Sequence, residues 1–157
     1  MIRNLQENDK SAILKLGYSI FRKEDEIPLL QKALLLCVPE LSFVAVDTTI
    51  IGFTLVCITP TNVYFTFTIP HCYELAFLGI SPTHQGRGIG SKLLKKTLSC
   101  IFQQAKTCWL LVDTSNTGAI AMYEKLGFRR WITIYLDIPG YIMGLSYKRY
   151  MNTLHAG

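Results

Sequence analysis

The chain has 157 residues, half of them hydrophobic and 17% charged, which excludes a disordered tail and fits one domain with a sizeable core. Its formal charge of +5 points to an anionic partner, yet the sixteen Lys and Arg are scattered without a dense run, so nucleic acid is not expected. Mean hydropathy is high at +0.27, but the longest apolar run, Ile50 to Ile58, falls well short of the roughly 18 to 20 residues a membrane span needs. The apolar surplus suggests a partner interface instead, such as that of a homodimer. Five cysteines (Cys37, Cys57, Cys72, Cys100 and Cys108) form an odd set with no CxxC pair. That argues against a disulfide framework or a zinc site, and for reduced thiols. The opening MIRNLQENDKS has no hydrophobic secretory segment, so a cytoplasmic location is expected.

Taken in chain order, residues 2–5 read as a short first strand. Asp9 is placed to cap a helix carrying Ile13, Leu14, Leu16 and Ile20. A second helix is expected from about Pro28 to Cys37, stopped by Pro39. LSFVAV (41–46) and IIGFTLVCIT (50–59) form a hairpin about Asp47, Thr48 and Thr49. The aromatic-rich excursion that follows fits no element. YELAFLGI (73–80) is a strand ended by Ser81 and Pro82, and a helix runs from about Gly90 to Ala105 with Leu94, Leu98, Ile101 and Ala105 facing inward. WLLVD (109–113) has the continuous apolar character of a buried parallel strand. SNTGAIAMYEKLGF is a capped helix ending at Gly127. RRWITIYLDI and YIMGLSYKRY are two closing strands around Pro139 and Gly140, followed by a short polar tail. The whole is an α/β domain.

The stretch HQGRGIGSKLL, His84 to Leu94, puts three glycines directly in front of a helix. Glycine is costly to order, so three together suggest either a tight turn or a loop whose bare backbone must touch a ligand. Strand, glycine loop and helix together suit a phosphate, because free amides converge with the positive end of the helix dipole. Gly86, Gly88 and Gly90 are spaced GxGxG, which fits neither the dinucleotide fingerprint GxGxxG nor the Walker pattern. They do fit Q/R-x-x-G-x-G/A, through Gln85, Gly88 and Gly90.

With that pattern, ELAFLGISPTHQGRGIGSKLL resembles the GNAT superfamily of acyl-CoA-dependent N-acyltransferases. TSNTGAIAMYEKLGFRR resembles the family's later block, and IRNLQENDKSAILKL its usual start, so the likeness spans nearly the whole chain and is weakest over residues 60–72. It implies a single GNAT-like α/β domain over residues 1–157. The expected sheet is central, twisted, mixed and mostly antiparallel, flanked by helices, with a strand–glycine loop–helix pyrophosphate site. It also implies acetyl-CoA as co-substrate, held by Leu78, Gly79 and Ile80 at the strand end, by Gln85, Gly86, Arg87, Gly88, Ile89, Gly90 and Ser91 in the loop, and by Asn116. Gly79 departs from the family, where a small side chain is usual.

The implied reaction is direct attack of an amine on the acetyl thioester, with acetyl-CoA and an amine acceptor (peptide or small molecule) as partners. Glu74, at the start of its strand and alternating with Ala76, Leu78 and Ile80, is the candidate base, as a glutamate is in some lysine-acetylating members; the alternative is an ordinary edge carboxylate. The resemblance makes Tyr123 the candidate acid for the leaving thiolate, against a core tyrosine. Asn116 suits a helix cap as well as a coenzyme A contact. Arg87 and Lys92 either pair with phosphates or stand exposed. His84 reads as a turn residue, Cys72 beside His71 as a buried thiol rather than a nucleophile, and no spacing suggests a metal. Aromatics in residues 63–68 and 134–143, with Asp137, fall where the family's acceptor enters. A catalytically silent acetyl-CoA-binding domain is the alternative reading, though it would need neither Glu74 nor Tyr123. A purely structural domain would leave the glycines idle.

Overall fold

The computed structural model describes residues 1–59, 61, 65, 69, 71–135 and 138–156. Among them are seven strands: β1 (Ile2–Asn4), β2 (Phe43–Asp47), β3 (Thr49–Cys57), β4 (Glu74–Ile80), β5 (Thr107–Asp113), β6 (Arg129–Ile134) and β7 (Gly140–Ser146). Five α-helices accompany them: α1 (Lys10–Ile20), α2 (Glu26–Leu36), α3 (Ile89–Ile101), α4 (Thr117–Lys125) and α5 (Tyr147–His155). The strands form one sheet in the order β1-β2-β3-β4-β5-β7-β6. Every neighbouring pair is antiparallel except β4 with β5, so the sheet is mixed and mostly antiparallel. WLLVD is therefore parallel to one neighbour only and antiparallel to β7 along its whole length.

Helices cover both faces. Ile13, Ile27 and Leu30 from α1 and α2 pack on Val44, Phe53 and Leu55. On the other face Leu94, Leu98 and Ile101 of α3 and Ile120 and Tyr123 of α4 meet Val56, Leu75, Leu110 and Met143. Burial of such side chains contributes about 1.5–3 kcal/mol each, enough to hold the layers on the sheet. The inner stripe of α3 also includes Leu93 and Thr97, both fully buried, whereas Ala105 lies beyond the helix end. Thr97 is admitted because its hydroxyl lies 2.7 Å from that of Thr54 and donates to the Leu93 carbonyl at 2.8 Å.

Two local expectations are corrected. Asp9 makes no side-chain cap to α1. Its carboxylate instead accepts from the Gln6 N–H at 2.8 Å and takes a two-pronged bond from Arg3 at 2.7 and 3.0 Å, tying the first turn to β1. The last closing strand is present as β7 but ends at Ser146, where the chain turns into α5 in place of further strand and tail, with the Ser146 hydroxyl accepting from the Arg149 N–H at 3.1 Å. Among the described residues no helix is long and apolar enough to cross a membrane.

Candidate active site

The site begins where β4 and β5 part. Their recorded pairing is a single rung, Glu74 opposite Trp109, supported by the Trp109 N–H donating to the Tyr73 carbonyl at 2.9 Å. On its other side β4 keeps β3 as partner, but the register jumps: Leu55 faces Phe77 and Val56 faces Leu75, leaving Ala76 unmatched. That extra residue is a β-bulge, and it reverses the parity of the strand. Ala76 and Phe77 both pack toward α1 and α2, while Leu78 and Ile80 pack toward α3. The expected alternation of Glu74 with Ala76, Leu78 and Ile80 on one face thus holds only as far as Ala76.

Glu74 is 3% exposed and lines a cleft of about 370 Å³. Burial pushes its carboxyl above the ordinary glutamate range; hydrogen bonds from Thr61 and the charge of Lys32 pull the other way. The Thr61 hydroxyl reaches both carboxylate oxygens, and its backbone N–H approaches one of them at 3.4 Å. Cys57 lies opposite Glu74 in register, and the charge of Glu74 bears on the thiols of Cys57, Cys72 and Cys108. Burial drives Cys72 and Cys108 up to about 12, which keeps them as thiols rather than nucleophiles. Leu29, Phe77, Leu111 and Ile138 give the cleft apolar walls.

The cleft rim is ionic, and sequence reading missed it. Arg22, between α1 and α2, pairs with Asp25 at 3.1 Å and Glu26 at 3.2 Å and reaches Asp113 at the end of β5 at 3.6 Å. Asp113 is held below the usual carboxylate range chiefly by the Ser115 N–H, which donates to it at 2.8 Å. The charged run RKEDE, residues 22–26, was the available signal.

Tyr123 approaches from the opposite layer. It is 8% exposed on α4, its ring 5.6 Å from that of Phe128. Burial, and then the neighbouring Cys108, raise its phenol far above the ordinary value, so it keeps its proton. Cys108 acts on the Tyr123 phenol and is itself acted on by the charge of Glu74.

Beyond β4 the glycine loop has the form its sequence implied. Gly86 and Gly88 take φ of +77° and +79°, a left-handed backbone that side chains rarely adopt, and no atom stands within 4 Å of where a Cβ would be. Gly88 is the N-cap of α3 and the first bond of the helix runs from the Lys92 N–H to its carbonyl, so the amides of Ile89, Gly90 and Ser91 have no acceptor within the helix. Gln85 fastens the loop to β4 by donating to the Ile80 carbonyl at 3.1 Å. Arg87 and Lys92 are exposed beside these amides. Asn116 caps α4, accepting from the Ala119 N–H at 3.3 Å. Gly79 opens no space toward a cofactor, because a Cβ there would lie 2.8 Å from the Phe53 ring.

Among the remaining candidates, His84 lies beside the loop with its Nδ1 2.9 Å from the Thr83 hydroxyl, and His71 is exposed. Phe65 is buried with Cys72 and Ile142. The other aromatics of residues 63–68, and Asp137, lie outside the described residues.

A parted strand pair beside an amide-rich loop that opens a helix is the architecture of an acyl-CoA-dependent acyltransferase. The model of the acetyltransferase (GNAT) family matches residues 9–128, and the chain belongs to that family. N-alpha-acetyltransferase RimI of Mycobacterium tuberculosis is 41% identical over 63 residues, a stretch that is 40% of this chain and 39% of that protein. Mycothiol acetyltransferase of Salinispora tropica is 43% identical over 60 residues, 37% of this chain and 20% of that protein. The chain thus spans well under half the length of these relatives. Among solved structures, the NatC complex bound to Gag peptide and CoA contains a chain that superposes with a TM-score of 0.76 at 21% identity, covering 93% of this chain and 97% of that one.

Proposed function

We propose that the protein transfers an acetyl group from acetyl-CoA to the α-amine of a peptide or protein N-terminus, with Glu74 as base and Tyr123 as acid. The observation that carries this reading is the position of Glu74: a buried, desolvated carboxylate lining a cleft at the one rung where β4 and β5 begin to separate. The acceptor nitrogen must lose its proton before it attacks the thioester carbonyl. At pH 7 that costs about 1–1.4 kcal/mol for an α-amine but about 4.6 kcal/mol for a lysine side chain, from their reference pKa values. A carboxylate whose proton affinity is raised by burial suits the smaller task. In the collapse of the tetrahedral intermediate the C–S bond breaks, and the departing sulfur takes the proton of Tyr123.

The acyl donor would lie with its phosphates on the amides of Gly88 to Ser91, assisted by Arg87, and its thioester between β4 and β5. Peptide acceptance is supported by the apolar walls and open rim of the cleft, and by the likeness to RimI and to a NatC chain crystallised with a peptide. The test offers acetyl-CoA with two peptides, one with a free N-terminus and no lysine, the other N-terminally blocked with one lysine. Mass spectrometry should find the added acetyl group on the first; modification of the blocked peptide alone would overturn the assignment.

A further inference from the structure

A second hollow lies elsewhere on the molecule. A groove of about 730 Å³ runs between the end of α4, the start of β6 and α5. Lys125, Arg129, Lys148 and Arg149 line it, and among the described residues none of the four has a carboxylate partner. Its one acid, Glu124, is engaged by Arg130 at 3.2 Å. These cations are dispersed in the sequence and meet only in the fold. They belong to a lopsided distribution: residues 84–157 carry ten Lys and Arg against three Asp and Glu, whereas residues 1–83 carry six against eight.

The groove is remote from the acetyl-transfer site. Gly140, the first residue of β7, lines the cleft and Ser146, the last, lines the groove. Six strand steps separate them, about 20 Å at the usual rise. The cations of the groove therefore stand well away from the acceptor cleft.

We infer that this groove binds a single nucleic-acid strand through its phosphates, without reading its bases. Two features favour that occupant over an acidic protein. Most lining side chains are polar or charged, and the aromatic residue, Phe128, is only 2% exposed, so the groove offers no aromatic anchor of the kind protein partners use. The guanidinium forks of Arg129 and Arg149 are groups that phosphate oxygens favour.

The test is fluorescence anisotropy of a labelled twelve-nucleotide oligouridylate with the full chain. Four phosphate contacts predict a salt slope of about −3 in log–log form, so affinity should fall about 50-fold between 50 and 200 mM salt. Arg129→Glu with Lys148→Glu should weaken binding at least tenfold at low salt. The milder pair Arg129→Gln with Lys148→Gln should halve the slope even if the charge reversals disturb folding. Undiminished binding in both pairs would overturn the inference. So would its loss to saturating coenzyme A or to Lys92→Glu, which would move the contact to the glycine loop. Equal affinity for a twelve-residue polyglutamate would also overturn it, as the mark of an acidic-protein site.

Discussion

The Thr61 hydroxyl lies 2.8 and 2.9 Å from the two carboxylate oxygens of Glu74, stabilising the charged form that burial disfavours. Thr61→Val keeps the shape and removes the donor. The carboxyl should then hold its proton to higher pH, and the acid limb of the kcat/KM profile should move upward with it. Profiles of parent and variant that superimpose would mean that Thr61 does not tune the base.

Glu74→Gln should lower kcat by about 10²-fold, the low end for a general base, and leave acetyl-CoA affinity unchanged. It should also change stability. Because the folded-state pKa of Glu74 is raised, the folded chain binds this proton more tightly than the unfolded one. The stability it contributes is full below the unfolded value and is lost as pH rises through the folded value. The glutamine variant escapes that loss, so at pH 7 it should melt above the parent, by about 2–4 °C for each kcal/mol in a chain of this size. Melting scans at pH 5 and pH 7 measure the difference.

Tyr123→Phe retains the contact with Phe128 and deletes the proton that burial holds on the phenol. Turnover should fall by about 10²-fold while the melting midpoint stays put. A fully active variant would return Tyr123 to a packing role.

Gly88 and Gly90 should respond differently to substitution. At φ +79° a β-branched residue is strained by more than the roughly 1–2 kcal/mol of an ordinary left-handed residue, so Gly88→Val should cost at least tenfold in acetyl-CoA affinity. A Cβ on Gly90 would meet Ile80 at 3.5 Å and Met122 at 3.9 Å, ordinary contacts, and Gly90→Ala should bind within about threefold of the parent. Calorimetry on the two variants separates them.

Asp9 is held below the ordinary carboxylate range, first by its bond from Arg3 and against the penalty of burial. Stability from this lowered group is present above the unfolded pKa and lost as pH falls through the folded one. Asp9→Asn should cost about 1–2 kcal/mol at pH 7, with the gap to the parent closing in acid. Urea titrations at pH 7 and pH 3 report both values.

What could be read in advance depended on how local its cause was. The glycine loop is a matter of adjacent residues, and Gln85, Gly86 and Gly88 announce it by type and spacing alone. The bulge at Ala76 is set by pairing with β3, so nothing within ELAFLGI reveals that Leu78 and Glu74 face opposite ways. Arg22 and Asp113 are 91 positions apart and meet through the fold. Segment YKRY has the aromatic content of a strand, and its helical state follows from Ser146 capping Arg149. Thr61 came from a stretch with no periodicity, where neither strand nor helix logic applies.

The unmatched Ala76 acts on β4 as a crank does on a shaft. Glu74 and Ala76 face the cleft between the sheet and α2; past the bulge, Leu78 and Ile80 face α3. Deleting Ala76 alone would remove the bulge and leave plain alternation, with Leu75 still opposite Val56 and Glu74 still opposite Cys57.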